Sequence, residues 1–305
     1  MRIRVILFLI LLICAFEIGL RFVGFRNAPL YYASDQYEYM YVPDQNRVRF
    51  GNHILVNEHS MRSAPLSQRD SVRILLIGDS VIDGGVMTTH DSLAASILES
   101  KLSDQFHQPI RVLNLAAKSW GPDNAAAFIN KYGNFGASLI CLIFSSHDAY
   151  DNMTFEPVVG ISPDHPKQQY ALAIVELFDR YLIPRYVDPI FNTKKKRQLS
   201  NETDESKPFN TGWKFFIDYC KQHNIELLVY LHAERGELMQ TKYINDTIIH
   251  LLDKYDIPYI LELNTGLEEK FYDDNIHFNE LGQKHIANIL YPELAKRVTF
   301  FYSSN

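Results

Sequence analysis

Apolar and polar positions alternate along this chain in blocks that change period, first strand-like, then helix-like, over most of its length. Residues 73–77 form a short, largely apolar run closed by Gly78, the pattern of a buried strand. Residues 92–102 carry Leu93, Ile97 and Leu102 at helical spacing, with Asp91 or Ser92 placed to cap them. Residues 111–115 read as a second strand. Pro122 opens a helix carrying Ala126, Phe128 and Ile129 that stops near Gly133, with proline at its start and glycine at its end. A wholly apolar third strand follows at 139–144. A helix at 211–223 has Trp213, Phe216, Ile217 and Cys220 on one side, and a strand spans 225–231. A helix at 242–254, a strand at 259–263 and a closing helix at 280–290 complete the series. Strands separated by helices require crossover connections, which are right-handed and produce a parallel sheet covered on both faces. Continuous rather than alternating apolar strands fit that double burial. In such a sheet chemistry collects at the carboxyl ends of the strands.

Three stretches depart from this rhythm. At the start, Arg2 and Arg4 precede an apolar run from Val5 to Phe16, which Glu17 interrupts before it resumes from Ile18 to Phe25. No small-x-small cleavage site follows. Ile13 is bulkier than the position before a lipidated cysteine prefers, so Cys14 is not read as a lipid attachment site. Residues 1–25 are read as an uncleaved signal anchor or transmembrane segment, with the rest of the chain exported to a periplasmic or extracellular location. Residues 26–71, rich in Tyr, Asn, Asp and Pro, read as a lead-in of loops and short strands. Residues 72–305 form the main domain, and its insertion at about 149–209 is unusually long for one connection. Within the insertion a helix is expected at 168–181, with Ala171, Ile174, Leu177 and Phe178 on one face. The basic block Lys194 to Arg197, compensated by Glu202, Asp204 and Glu205, reads as a solvated loop.

Composition narrows the function classes. Hydrophobic residues make up 47% of the chain and charged residues 22%, ordinary values for a globular protein with a sizeable core. A formal net charge of −6 argues against nucleic acid as a partner, which needs a basic surface. Three cysteines are too few for a disulfide framework, and Cys141 and Cys220 fall on apolar faces as buried thiols. The eleven histidines include no His-Glu-x-x-His helix, and no metal or other cofactor is expected.

Two segments carry chemistry. The first strand ends in Gly78-Asp79-Ser80, which puts a serine hydroxyl in a turn at the carboxyl edge of the sheet. After the last strand comes Asp274-Asn275-Ile276-His277. A serine hydroxyl becomes nucleophilic when a base takes its proton, and a histidine whose tautomer is held by a carboxylate suits that task. Ser80 is therefore the expected nucleophile, His277 the base and Asp274 the orienting acid. An oxyanion hole is also required. The Ser80 amide, Gly121 after the second strand and His147 after the third are the expected donors, with Asn152 a less well-spaced alternative to His147.

These blocks resemble the SGNH, or GDSL-type, hydrolase superfamily. Ile77-Gly78-Asp79-Ser80 is similar to its nucleophile block. Asn114 to Gly121 is similar to the second, with Gly121 two residues beyond the usual spacing. Ser145 to Asp148 falls at the third, and Asp274 to His277 matches the last. The resemblance covers about residues 73–290 and implies a three-layer α/β/α sandwich with a flavodoxin-like parallel sheet of about five strands. It also implies metal-free ester hydrolysis or acyl transfer through a serine. The superfamily's usual asparagine in the third block is replaced by His147, which leaves open a second class of function: a catalytically degenerate glycan-binding or assembly protein. Val56 to Arg62 resembles the lead-in of membrane-anchored bacterial members, several of which act on O-acetyl groups of exported polysaccharides. That resemblance implies an acylated small molecule or glycan as substrate.

Overall fold

The computed structural model describes residues 2–187, 207–243 and 246–304. It opens with helix α1 (Arg2–Val23), followed by two antiparallel hairpins, β1 (Tyr31–Ser34) with β2 (Glu38–Tyr41), and β3 (Gln45–Arg49) with β4 (Asn52–Val56). Strand β5 (Val72–Gly78) then enters the main domain and ends at a short helix, α2 (Ser80–Asp83). Next come α3 (Ala94–Phe106), β6 (Ile110–Ala116), α4 (Pro122–Tyr132) and β7 (Leu139–Ser145). After the insertion, which contains α5 (Ala173–Leu177), the chain runs through α6 (Gly212–His223), β8 (Glu226–His232), α7 (Arg235–Gln240), α8 (Asp246–Lys254) and β9 (Tyr259–Leu261). The closing helix is α9 (Glu280–Ser304).

Strands β5 to β9 form one five-stranded, wholly parallel sheet in the order β6-β5-β7-β8-β9. From β5 the chain first crosses to one side, to β6, and then back past β5 to β7. Right-handed crossovers put α3 and α4 on opposite faces, giving an α/β/α sandwich. The continuous apolar strands are buried on both faces: Ile74 to Ile77, Ile140 to Phe144 and Leu227 to Leu231 all lie in the core. The reversal of direction at β5 makes its carboxyl end a topological switch point, the usual place for a ligand crevice in such sheets.

The lead-in is part of the core rather than a cover laid on it. Tyr31, Tyr37, Met40, Tyr41, Val56 and Met61 are buried in the same cluster as the sheet. Tyr37 packs edge-on against Trp120 and Phe128, and the Trp120 indole donates to the Tyr39 carbonyl at 3.1 Å. Cys141 and Cys220 are buried free thiols. Helix α1 is long and apolar enough to cross a membrane, with a mean hydropathy of 2.6 over its most apolar window.

Several boundaries differ from the expected ones. Helix α3 starts at Ala94, and neither Asp91 nor Ser92 caps it. The Ala94 amide instead donates 3.1 Å to the buried Gln283 Oε1 from α9, a partner 189 residues away. The helix expected at 168–181 is α5, which begins at Ala173 and continues as a π-helical stretch, Phe178–Val187. Helix α7 was not anticipated, and α8 begins later than expected. Helix α9 runs on past Pro292 because Leu294, Ala295 and Val298 continue to bury themselves, which outweighs the backbone bond that proline removes. The block 194–197 and its compensating acids lie outside the described residues.

Candidate active site

Ser80 is placed by a strand, a turn and a helix. Gly78 closes β5 where a side chain is not tolerated: a Cβ there would lie 2.4 Å from the Ile143 carbonyl of the neighbouring strand. Asp79 then caps α2, its Oδ1 accepting the Val81 amide at 2.8 Å. Ser80 follows as the first helical residue, where amides have no acceptor within the helix. Its hydroxyl is half-exposed at the carboxyl end of β5.

The loop before α9 brings His277 to it. His277 Nε2 lies 2.9 Å from Ser80 Oγ, and His277 Nδ1 lies 2.7 Å from Asp274 Oδ2. The other Asp274 oxygen accepts the Ile276 and His277 amides at 2.9 and 2.8 Å, so one carboxylate shapes the turn and also orients the ring. A carboxylate only accepts, so Nδ1 carries the proton and Nε2 is left to accept from the serine. Partial burial pushes the Asp274 carboxyl up, but the two amides and the His277 ring outweigh it and hold the group below the usual carboxylate range. Asp274 is thus ionised wherever the imidazole is to act as a base. Asp274→Asn is expected to keep the turn but present an amide to Nδ1, favouring the wrong tautomer. We expect kcat for an ester substrate to fall by up to about 10^4-fold with KM little changed, measured by steady-state hydrolysis.

The loop itself is pinned from β8. The buried His232 ring contacts Glu262 Oε2 at 2.6 Å through Nδ1 and the Ile276 carbonyl at 2.9 Å through Nε2. Burial lowers the His232 pKa, but the Glu262 carboxylate and the Ile276 carbonyl outweigh it, and the net shift is upward. The Arg235 amide also donates to the Asn275 carbonyl, at 2.9 Å.

A cleft of about 250 Å³ opens beside the serine, lined by Ser80, residues 84–88, Lys118, Asp273, Asp274, His277 and Phe278. Lys118 was not among the expected site residues. Its position two residues past the end of β6, at the same sheet edge, was the available signal. The wall formed by 84–88 is held from beneath by Arg62, which is fully buried. Arg62 Nη1 donates to the Asp83 and Gly85 carbonyls at 2.5 Å each, and Nη2 to the Thr88 carbonyl at 3.2 Å. Asp83, also buried, accepts the Tyr41 hydroxyl at 2.8 Å and the Gly85 amide at 3.1 Å. The motif Val56 to Arg62 thereby has a structural meaning. Asn57 Oδ1 accepts the His59 and Met61 amides, a local turn that sends Arg62 under the loop at residues 83–88.

The expected oxyanion donors fare unequally. The Gly121 amide is buried and donates to Asn124 Oδ1 at 2.9 Å. The residue is glycine for packing, since a Cβ would lie 2.2 Å from the Asp151 carbonyl. Asn152 is likewise engaged, its side chain donating to the Tyr150 and Pro208 carbonyls. His147 stands beside Asp79 but not among the residues lining the cleft. Its Nδ1 contacts Glu234 Oε1 at 3.0 Å, while Nε2 is 3.7 Å from Asp148 Oδ1, beyond hydrogen-bond range.

Burial alone would lower the His147 pKa, but Asp148, Glu234 and Asp79 outweigh it and raise it to about 10. Asp79, His147 and Asp148 hold metal-ligand-type atoms within 4.8 Å of one another. The imidazolium already supplies positive charge to this cluster, and a metal there would have to displace its proton. Because the folded pKa is raised, the stabilisation is complete below the ordinary imidazole value of about 6.5 and is lost as pH rises through about 10. Urea-unfolding stability of the parent is therefore expected to decline between neutral pH and pH 10, with a shallower decline in His147→Gln. Equal slopes for the two would refute this.

No family model matches the chain, and no curated protein matches it at a significant level. Solved structures are similar in the general course of the chain. The lipase/acylhydrolase from Enterococcus faecalis is 10% identical, with a TM-score of 0.43 over 74% of this chain and 96% of that one. The psychrotrophic esterase EstA from Pseudoalteromonas sp. is 11% identical, with a TM-score of 0.42 over 74% and 98%. A two-domain esterase (CEX) active on acetylated mannans is 10% identical, with a TM-score of 0.47; 74% of this chain aligns, over 49% of that longer one.

Proposed function

We propose that the chain is a serine esterase or acyltransferase that works through an acyl-enzyme on Ser80. The observation that carries this reading is the relay from Ser80 Oγ to His277 Nε2 and from His277 Nδ1 to Asp274. In this mechanism Ser80 Oγ attacks the ester carbonyl as its proton passes to His277 Nε2. Asp274 stabilises the imidazolium that forms. The tetrahedral oxyanion is met by the Ser80 amide at the head of α2, with Lys118 adding positive potential from the cleft wall. His277 then returns its proton to the departing alkoxide. Water, or a second alcohol, repeats the sequence in reverse to free the serine.

The substrate we favour is a short acyl ester, such as acetyl, on a bulky polar alcohol such as a glycan. A cleft of about 250 Å³ is below the usual range for drug-sized ligands and suits a small acyl group. His277, on the leaving-group side, is exposed, which leaves room for a large alcohol. We further place the catalytic domain outside the membrane, anchored by α1. Turnover of p-nitrophenyl acetate, butyrate and octanoate tests the acyl preference: acetate is expected to lead, and a preference for octanoate would overturn the short-acyl reading. Product analysis on an acetylated polysaccharide, with and without an acceptor sugar, separates hydrolysis from transfer.

A further inference from the structure

Glu17 is the one acid in α1, in its apolar stretch and six residues before its end. A carboxylate is costly in a membrane span unless it has partners and a purpose. Here Oε1 accepts the Ala173 amide at 2.9 Å and the Arg21 guanidinium at 2.8 Å, while Oε2 accepts the Ile174 amide at 2.9 Å. The Ala173 and Ile174 amides are first-turn donors of α5 that have no acceptor within their own helix. Glu17 therefore caps α5 and fixes it beside the last turns of α1.

Glu176 locks the junction from the other side. Its carboxylate accepts the Arg26 amide at 2.5 Å and the buried Arg49 guanidinium at 2.6 Å. With Ala173 and Glu176 turned inward, the opposite side of the segment carries Leu172, Val175, Phe178, Ile183 and Tyr186, each between 39 and 60% exposed. Their spacing is three, three, five and three, and the five-residue step falls in the π-helical stretch, whose turn is wider. The result is an exposed, mainly apolar face interrupted by the exposed Asp179. It runs beside the last turns of α1 and ends with Arg185 and Tyr186, while Arg180 and Tyr181 turn inward to Glu176 and Arg49.

We propose that residues 172–186 lie in the membrane–water interface as a second membrane contact beside the anchor. Six residues of helix set Glu17 about 9 Å back from the end of α1, so α5 meets the anchor at headgroup depth rather than above it. The occupant of the stripe is the bilayer: it lies alongside the apolar surface of α1, and the exposed Arg185 and Tyr186 at its end are residue types that favour the headgroup layer. Two attachment points instead of one would hold the Ser80 cleft at a fixed height and tilt over the membrane. This rests on the reading of α1 as an anchor.

The test uses the full chain reconstituted in bilayers with and without brominated lipids. Both native tryptophans, Trp120 and Trp213, are fully buried and give a constant background. Phe178→Trp and Ile183→Trp place probes on the stripe, and Phe16→Trp places one on the anchor. Loss of the added emission to brominated lipid at all three positions is the expected result. Quenching of Phe16→Trp alone overturns the inference and leaves the anchor standing. No quenching at any of the three, in protein with unchanged circular dichroism, removes both. Probes at 178 and 183 that resist brominated lipid and are also shielded from aqueous acrylamide would mean that a second copy of the chain covers the stripe, which again overturns it.

Discussion

Ser80→Ala is expected to lower kcat/KM for a short-chain ester by at least about 10^4-fold, because the remaining groups have no bond to make with the acyl carbon. The loss should fall almost entirely in kcat, since the hydroxyl contributes little to ground-state binding. The change should cost the fold little. Ser80 is half-exposed, and the hydrogen bond it loses is to His277, which is itself exposed. We expect a stability change within about 0.5 kcal/mol by urea unfolding. His277→Ala should cost a similar factor in kcat, and Ser80→Ala combined with His277→Ala should be little worse than either alone, because the two act as a unit. Additive losses would mean that the serine and histidine do not share a proton-transfer step.

Arg62→Met is expected to produce the largest stability effect in the molecule, about 3–5 kcal/mol, from a residue outside the reacting atoms. The substitution keeps an unbranched side chain of similar reach but removes the charge. Three carbonyls, at Asp83, Gly85 and Thr88, lose their donor together. Asp83 is left buried beside Tyr41 with its compensating cation gone. Burial already raises the Asp83 pKa, with Arg62 and then Lys118 offsetting it, so removing Arg62 should raise it further. The variant should lose more stability at high pH, where Asp83 must ionise, than at low pH. Residues 84–88, which form one wall of the cleft, should loosen, so activity should fall along with stability. If Arg62→Met is too unstable to purify, Arg62→Met with Asp83→Asn provides the check, because neutralising both partners should recover part of the loss. No recovery would mean that Arg62 acts through its three carbonyl hydrogen bonds and packing, and not by compensating Asp83.

The sheet was legible because its strands are short, continuously apolar and separated by helical periodicity. Burial on both faces leaves that mark, and the strand runs at 73–77, 111–115 and 139–144 each fall within one residue of the observed ends. The positions of Ser80, at the end of β5, and of His277 and Asp274, on one turn in the loop before α9, could be read from local pattern, and the structure brings them together. What was not legible depends on partners distant in sequence. Gln283 caps a helix 189 residues away. α9 runs through Pro292 because its far end still has core to cover. Gly121 has a ligand-approach glycine's sequence context, yet the Asp151 carbonyl is what excludes a side chain there. Arg62 reads as one basic residue in a polar lead-in, and nothing local indicates that it will be wholly buried. Glu17 reads as a blemish in an apolar run until Ala173 and Ile174 are placed next to it. Local pattern reports burial and turn chemistry; it does not report which long-range partner satisfies a buried polar group.

The central claim is that Ser80 is activated by His277 and becomes acylated. The direct test is to incubate the folded chain with a serine-directed fluorophosphonate and map the adduct by mass spectrometry. A single adduct on Ser80 is predicted, absent in Ser80→Ala and formed far more slowly in His277→Ala. The claim is contradicted if the folded parent takes no label at Ser80, or if Ser80→Ala still turns over p-nitrophenyl acetate at the parental rate.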